Sequence, residues 1–268
     1  MKKYLFFFFL FITNKIQAQE LFVYTEPASN MAAKSIGFRL NNFFFTDKLT
    51  NKTGYRLVPE IMVGVSRNLM VHADAFLSTD YGRFVVQGAG LYAKYRLLSV
   101  DEVHNHFRLS GFGRFSVNNS VIQQAAIDLN GYNTGYEVGL VATQLIHKVA
   151  ISATTSITHA MDNAGKKIVP DFNNRNAVNY TLSIGKLMLP KVYTSYQQTN
   201  INLMAELLGQ NNLTTGQSYL DIAPSLQFIF VSRMRADLGY RYALIKKLDR
   251  AAANGIFVRL EYNIFNVY

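Results

Sequence analysis

From Ser35 to the end of the chain, apolar and polar positions alternate with period two. Ile36, Phe38 and Leu40 interleave with Gly37, Arg39 and Asn41, and Leu57, Ile61 and Val63 with Arg56, Glu60 and Gly64. Val71, Ala73 and Ala75 oppose His72 and Asp74, and Val85, Ala89, Leu91, Ala93, Tyr95 and Leu97 oppose Gly88, Gly90, Tyr92, Lys94 and Arg96. The device continues through Phe107–Ser116, Tyr136–Thr143, Val149–Thr158, Val178–Gly185, Ile201–Leu207, Leu220–Phe230 and Met234–Tyr242. It ends in GIFVRLEYNIFNVY, where Ile256, Val258, Leu260, Tyr262 and Ile264 share one face and Arg259, Glu261 and Asn263 the other. Side chains point to opposite faces along a strand, so this pattern predicts about twelve strands, each with one apolar and one polar face.

The connections alternate as well. Tight links fall at Arg67-Asn68, His147-Lys148 and Ser232-Arg233, with longer ones near Leu98–Asn105 and Pro190–Gln198. The intervening connections are polar loops, notably Asn118–Gly135 and Met161–Asn176. Short turns on one rim and longer loops on the other are the habit of membrane barrels, with the short rim periplasmic. A tilted strand of about ten residues crosses the hydrocarbon layer, and only a closed barrel leaves no unpaired strand edge in lipid. A soluble sandwich or propeller would need a second layer over every apolar face, and no helical segment offers one. The expected fold is all-β: a transmembrane antiparallel up-and-down β-barrel of about 12 strands over residues 35–268, with both termini periplasmic. Phe43, Phe44, Tyr55, Tyr81, Phe84, Tyr95, Tyr136, Tyr219 and Tyr242, near strand ends, suit interfacial aromatic girdles.

Residues 1–18 read as a secretory signal. Lys2 and Lys3 precede the apolar run Tyr4–Ile12, and Ile16-Gln17-Ala18 offers a cleavage site. Residues 19–34 have no clean period and contain Pro27; they read as a periplasmic lead-in, with a small plug or partner-binding segment as the alternative.

Composition narrows the class. Hydrophobic residues make up 49% and charged residues 16%, which is too apolar for disorder. Past the N-terminus no run of about 18 apolar residues would make a spanning helix. Cysteine is absent, which excludes disulfides, thiolate metal sites and Cys nucleophiles. The formal charge is +10, three units lower once Lys2, Lys3 and Lys15 leave with a signal. The basic residues are dispersed singly within strands rather than in a stripe, which argues against nucleic acid.

The polar faces supply the candidate lumen lining. Its basic members are Arg39, Arg56, Lys94, Arg96, Arg108, Arg114, Arg235, Arg241 and Arg259; its acidic members are Glu60, Asp74, Glu137, Glu206, Asp221, Asp237 and Glu261. Such groups can pair across strands in a narrow interior. Two readings stay open: a small-solute pore with mild anion preference, or a charge network that closes the lumen and only stabilises the barrel. Catalytic, cofactor and metal sites are not expected. His104-x-His106 lacks a set of nearby ligands beyond Asp101 and Glu102. Ser156 and His159 are an odd number of residues apart and fall on opposite faces, so they do not make the Ser–His pair of a lipid-modifying barrel enzyme. Gly88-x-Gly90 and Gly111-x-Gly113 precede no helix and fail as nucleotide turns.

The closing strand resembles that of bacterial outer-membrane barrels, which end on an aromatic residue as this chain does at Tyr268. Asn266 departs from the apolar residue usual there. That resemblance implies recognition of the strand by the barrel-assembly machinery and a place among outer-membrane lipids. The segments Gln198–Gln210 (QTNINLMAELLGQ), Tyr219–Phe230 (YLDIAPSLQFIF) and Leu238–Tyr242 (LGYRY) resemble porin-like barrels of the Bacteroidota type, related to the phenol-degradation meta-pathway outer-membrane family. It implies location and a transport role for small solutes, and carries no catalytic residues. A non-conducting structural or partner-binding barrel is the alternative, with a barrel enzyme a distant third.

Overall fold

The structure, a computed structural model, describes residues 22–46, 53–79, 83–103, 105–122, 124–164, 175–192, 195 and 197–267. The expected signal segment, Tyr81 and His104 lie outside them. Twelve strands run β1 (Ser35–Thr46), β2 (Thr53–Gly64), β3 (Leu69–Ser78), β4 (Val85–Asp101), β5 (Asn105–Asn118), β6 (Thr134–Ile146), β7 (Val149–Met161), β8 (Asn176–Leu189), β9 (Asn200–Asn212), β10 (Ser218–Phe230), β11 (Met234–Lys246) and β12 (Gly255–Ile264). Each pairs antiparallel with its neighbours in sequence, and β12 closes on β1 with Leu40 opposite Leu260. Closure leaves no open edge, so every strand finds both backbone partners within the sheet.

The two faces are inverted relative to a soluble protein. Leu91, Val138 and Ile157 point outward with about three-fifths of their surface exposed, while Lys94, Glu206 and Asp221 are fully buried inside. An apolar exterior of this extent on every strand belongs against lipid rather than water. The chain is a multi-pass β-barrel of the outer-membrane type.

Among the described residues four bulges interrupt the strict alternation. One lies opposite Phe76 and Leu77, which pair with Gly88 and Val86, so Gln87 is buried and Val86 takes the lipid-facing place expected of Val85. The others lie between Arg96 and Leu98, Leu187 and Leu189, and Leu220 and Asp221. A bulge adds one unpaired residue and resets the phase, which a period-two reading cannot anticipate. Two of the expected girdle residues also face inward. Phe43 packs its ring 4.7 Å from that of Phe257, and Tyr219 lies under the Arg250 guanidinium at 3.9 Å. Phe44, Tyr95, Tyr136 and Tyr242 do face outward.

Candidate functional site: a lumen occupied from both ends

Residues 22–34 do not trail from the barrel as a lead-in. They form a strap inside it, bound by inward-facing polar groups. Lys34 enters beside the end of β2, its N–H donating to Gly64 O at 2.7 Å. Met31 then packs among Met62, Met70 and Tyr92. Lys94 Nζ donates to the carbonyls of Pro27 (2.6 Å) and Ser29 (2.8 Å), and Arg108 Nη1 donates to Ser29 Oγ at 2.7 Å. The backbone of Ala28 is held from both sides: its N–H donates to Thr143 Oγ1 at 2.8 Å and its carbonyl accepts from Ser110 Oγ at 2.6 Å.

The far end of the strap is gripped by one carboxylate. Glu206 Oε1 accepts the N–H groups of Val23 (2.9 Å) and Tyr24 (2.8 Å); Oε2 accepts the N–H (3.0 Å) and hydroxyl (2.7 Å) of Thr25. Arg235 and Arg259 donate to the Phe22 carbonyl at 2.5 and 3.2 Å. Glu206 supplies the negative charge that a cluster of backbone N–H groups needs once water is gone, and the two arginines cap the carbonyl beside it.

Glu26, at the middle of the strap, joins the wall's charge network. Arg39 Nη1 meets Glu26 at 2.6 Å and Glu60 at 3.0 Å, while Arg39 Nε meets Glu261 at 2.8 Å. Register explains the set: Glu60 and Glu261 are the direct cross-strand partners of Arg39 in β2 and β12, and Arg235 is that of Glu261 in β11. One row of side chains across four strands thus carries alternating charge, with Glu26 added from the strap. Burial tends to raise the Glu26 carboxyl, but Arg39 and Lys94 beside it hold it well below the usual carboxylate range.

The opposite end is narrowed by the connection between β5 and β6. Ile122, Ala125, Ala126, Ile127 and Leu129 of this loop are buried. Gln210 of β9 clasps Ile127 through its side chain, accepting from the N–H at 2.9 Å and donating to the carbonyl at 2.8 Å. Tyr132 stacks on the Arg56 guanidinium, 3.4 Å from its ring centroid. Gly131, at φ +114°, lets the loop pass the Arg56 side chain, where a Cβ would sit 3.2 Å from Cδ and Nε.

Between strap and loop lies a chamber of about 320 Å³. The strap's Tyr24 and Glu26 and the loop's Ile127 and Asp128 bound it. Its walls carry Arg39, Arg56, Arg114, Arg241, Arg250 and Arg259 against Glu60 and Glu137, with Phe43, Tyr92, Phe112, Tyr219 and Phe257 among them. Arg241 and Arg250 both close on Asp221, Arg241 Nε at 2.5 Å and Arg250 Nη2 at 2.7 Å. Arg259 Nε donates to Asn41 at 2.8 Å.

All the charged residues singled out in the sequence sit on the inward phase of their strands, and Glu60, Arg96, Arg114, Glu137 and Arg241 are partly rather than fully buried. They do not form one group. Arg96 turns to the short-turn rim, where Nη2 donates to the Arg67 carbonyl. Asp74 and His72 lie near Glu60, with His72 Nδ1 3.9 Å from its carboxylate. His106 Nδ1 pairs with Asp101 at 2.8 Å. Among the described residues no cluster of three His, Asp or Glu could hold a metal ion. Ser156 Oγ donates inward to Glu137 (2.5 Å), and His159 Nδ1 meets Asn176 (2.8 Å), so the two make no catalytic pair. Sequence reading missed Glu26 and Arg250, which lie outside the strands and so outside any period. Gln210 sits on an inward phase, yet nothing in its neighbours marks it as a clasp.

No protein-family model matches the chain, and no curated protein matches it. Solved structures do. The COG4313 outer membrane channel from Pseudomonas putida F1 aligns with a TM-score of 0.58 and 11% identity, over 90% of this chain and 100% of that one. The KdgM porin aligns at 0.52 and 10% identity, over 85% and 98% respectively. The NanC porin aligns at 0.50 and 9% identity over the same shares. At such identities the likeness is one of fold, and that fold is the porin-like outer-membrane barrel.

Proposed function

We propose that this chain is a narrow outer-membrane channel for small solutes, mildly anion-preferring, whose lumen the strap holds closed at rest. The observation that carries the reading is how the strap is held. Hydrogen bonds and ion pairs from the wall fix residues 22–34, and such contacts can be exchanged for water without breaking the barrel. Arginines outnumber acids on the chamber wall, which favours anions in a confined, low-dielectric passage. A closed charge network that merely stabilises the barrel is the second reading, favoured by the saturation of Arg39, Arg241 and Arg259.

The reading includes export by the signal segment 1–18, short turns and termini on the periplasmic side, and insertion among outer-membrane lipids by the barrel-assembly machinery through the closing strand. Kinship with Bacteroidota-type barrels of the phenol-degradation meta-pathway family belongs to the same proposal. It is supported by Gln198–Gln210, Tyr219–Phe230 and Leu238–Tyr242. No chemical step is assigned to the barrel. Single-channel recording of the refolded protein across a salt gradient tests the proposal: discrete steps with a reversal potential on the anion side are expected. Silence from a demonstrably folded barrel refutes the channel.

A further inference from the structure

We propose that the chamber between strap and loop is a binding site for a small organic anion, a monocarboxylate with a flat apolar body, anchored by Arg114. The inference deepens the channel reading and rests on it, since it gives the passage a solute that pauses there. It starts from an imbalance among the wall's arginines. Arg39, Arg241, Arg250 and Arg259 are each engaged by a carboxylate or amide oxygen, and Arg56 is covered by Tyr132. Arg114 is not: its Nε and Nη1 are buried and have no hydrogen-bond partner among the described residues.

Two carboxylates lie near it, Asp74 and Glu137, and neither hydrogen-bonds to it. Glu137 faces Arg114 across the β5–β6 pair, yet its Oε1 accepts from Ser156 Oγ at 2.5 Å and Asn179 Nδ2 at 3.1 Å. A guanidinium without an acceptor inside a protein is costly, and an incoming carboxylate would supply charge-assisted hydrogen bonds at that point. The surroundings select the rest of the ligand. The Arg114 guanidinium lies 5.3 Å from the centre of the Tyr92 ring, and Phe112 follows at 5.6 Å from Tyr92, an apolar shelf beside the charge. The chamber's roughly 320 Å³ accommodates a compact solute and is at the small end for ligand pockets. Inorganic anions would satisfy Arg114 and leave the rings bare; neutral solutes would do the reverse.

The test uses benzoate as probe, with acetate (charge without the ring) and benzyl alcohol (ring without the charge) as comparisons. Each is titrated into the refolded full barrel in detergent and followed by ligand-observed NMR. Saturable benzoate binding is expected, with acetate and benzyl alcohol at least tenfold weaker. Arg114→Gln should weaken benzoate at least tenfold and leave the barrel's heat-resistant gel mobility unchanged. Tyr92→Leu, which keeps the anchor, should weaken benzoate while leaving acetate as it was, and serves as well if Arg114→Gln does not fold. Equal benzoate affinity in wild type and Arg114→Gln, or acetate binding as tightly as benzoate, overturns the site. Anion-selective conductance without benzoate binding would sink this inference alone; benzoate binding in a barrel that never conducts would sink the channel reading alone.

Discussion

Glu206→Gln is the most informative single change, because one carboxylate accepts from three successive residues at the far end of the strap. In the native lumen its two oxygens accept from Val23, Tyr24 and Thr25, with Ser183 Oγ adding a longer contact at 3.2 Å. Glutamine keeps one oxygen and puts an N–H₂ group where the other stood. Either Val23 and Tyr24 lose their acceptor, or the Thr25 N–H does while its hydroxyl turns to accept from the new N–H₂, so at least one backbone bond is lost in either orientation. Hydrogen bonds to a charged acceptor contribute about 1.5–3 kcal/mol each, so the loss is at least about 1.5 kcal/mol. At about 1.4 kcal/mol per tenfold, release of residues 23–25 should become at least about tenfold more frequent. Hydrogen exchange at the Val23, Tyr24 and Thr25 amides reads this directly. The Ala28 amide, held by Thr143 of β6 rather than by β9, should keep most of its protection, and Ser183→Ala should change little. Protection at Val23–Thr25 falling less than tenfold in Glu206→Gln would refute the claim that this carboxylate anchors the strap.

Other outcomes follow from separate parts of the lumen and wall. The Glu26 carboxyl is held below its ordinary value by Arg39 and Lys94, so its stabilisation of the strap is present above the unfolded carboxyl value and lost as pH falls through the lower folded one. Protection of the strap around Glu26 should therefore hold from neutral pH down to the ordinary glutamate range and decline progressively below it, and Glu26→Gln should flatten that decline. Gly131→Ala should unseat the β5–β6 loop by about 1–2 kcal/mol, since φ +114° disfavours a side chain and the Cβ would crowd Arg56; exchange at the Ile127 amide would report it, and unchanged protection would count against the loop's docking. Leu182→Arg, on the lipid face of β8, should cost about 2–4 kcal/mol of folding stability in bilayers, against about 0–1 for Val103→Arg in the β4–β5 turn; equal costs would contradict a membrane-embedded wall.

What could be seen in the sequence, and what could not, divides along the range of the forces involved. The inward charges of β1, β11 and β12 stand out because lipid on one side and a polar lumen on the other impose period two on every strand. Their pairings become readable once register is known: Arg39 opposite Glu60 and Glu261, Asp237 opposite Arg259. The strap has no such signature. Its order comes from partners far along the chain, as Val23 on Glu206, and no local pattern in ELFVYTEPASNMAAK encodes that. Phe43 and Tyr219 misled for a related reason: a ring near a strand end suits a membrane interface, but the chamber wall is also built of rings that back arginines. Arg250 was invisible within RAAANG because it lies in a connection and its partner Asp221 sits on β10.

The central claim is a conducting barrel that the strap closes, and a reversible lock tests it most directly. The chain has no cysteine, so a pair introduced by Ala28→Cys and Thr143→Cys, where the Ala28 N–H meets Thr143 Oγ1 at 2.8 Å, would be its only thiols. Recorded in a planar bilayer, the oxidised double variant should be silent, and reductant added to the same membrane should bring anion-favouring steps. Identical conductance before and after reduction would contradict the account.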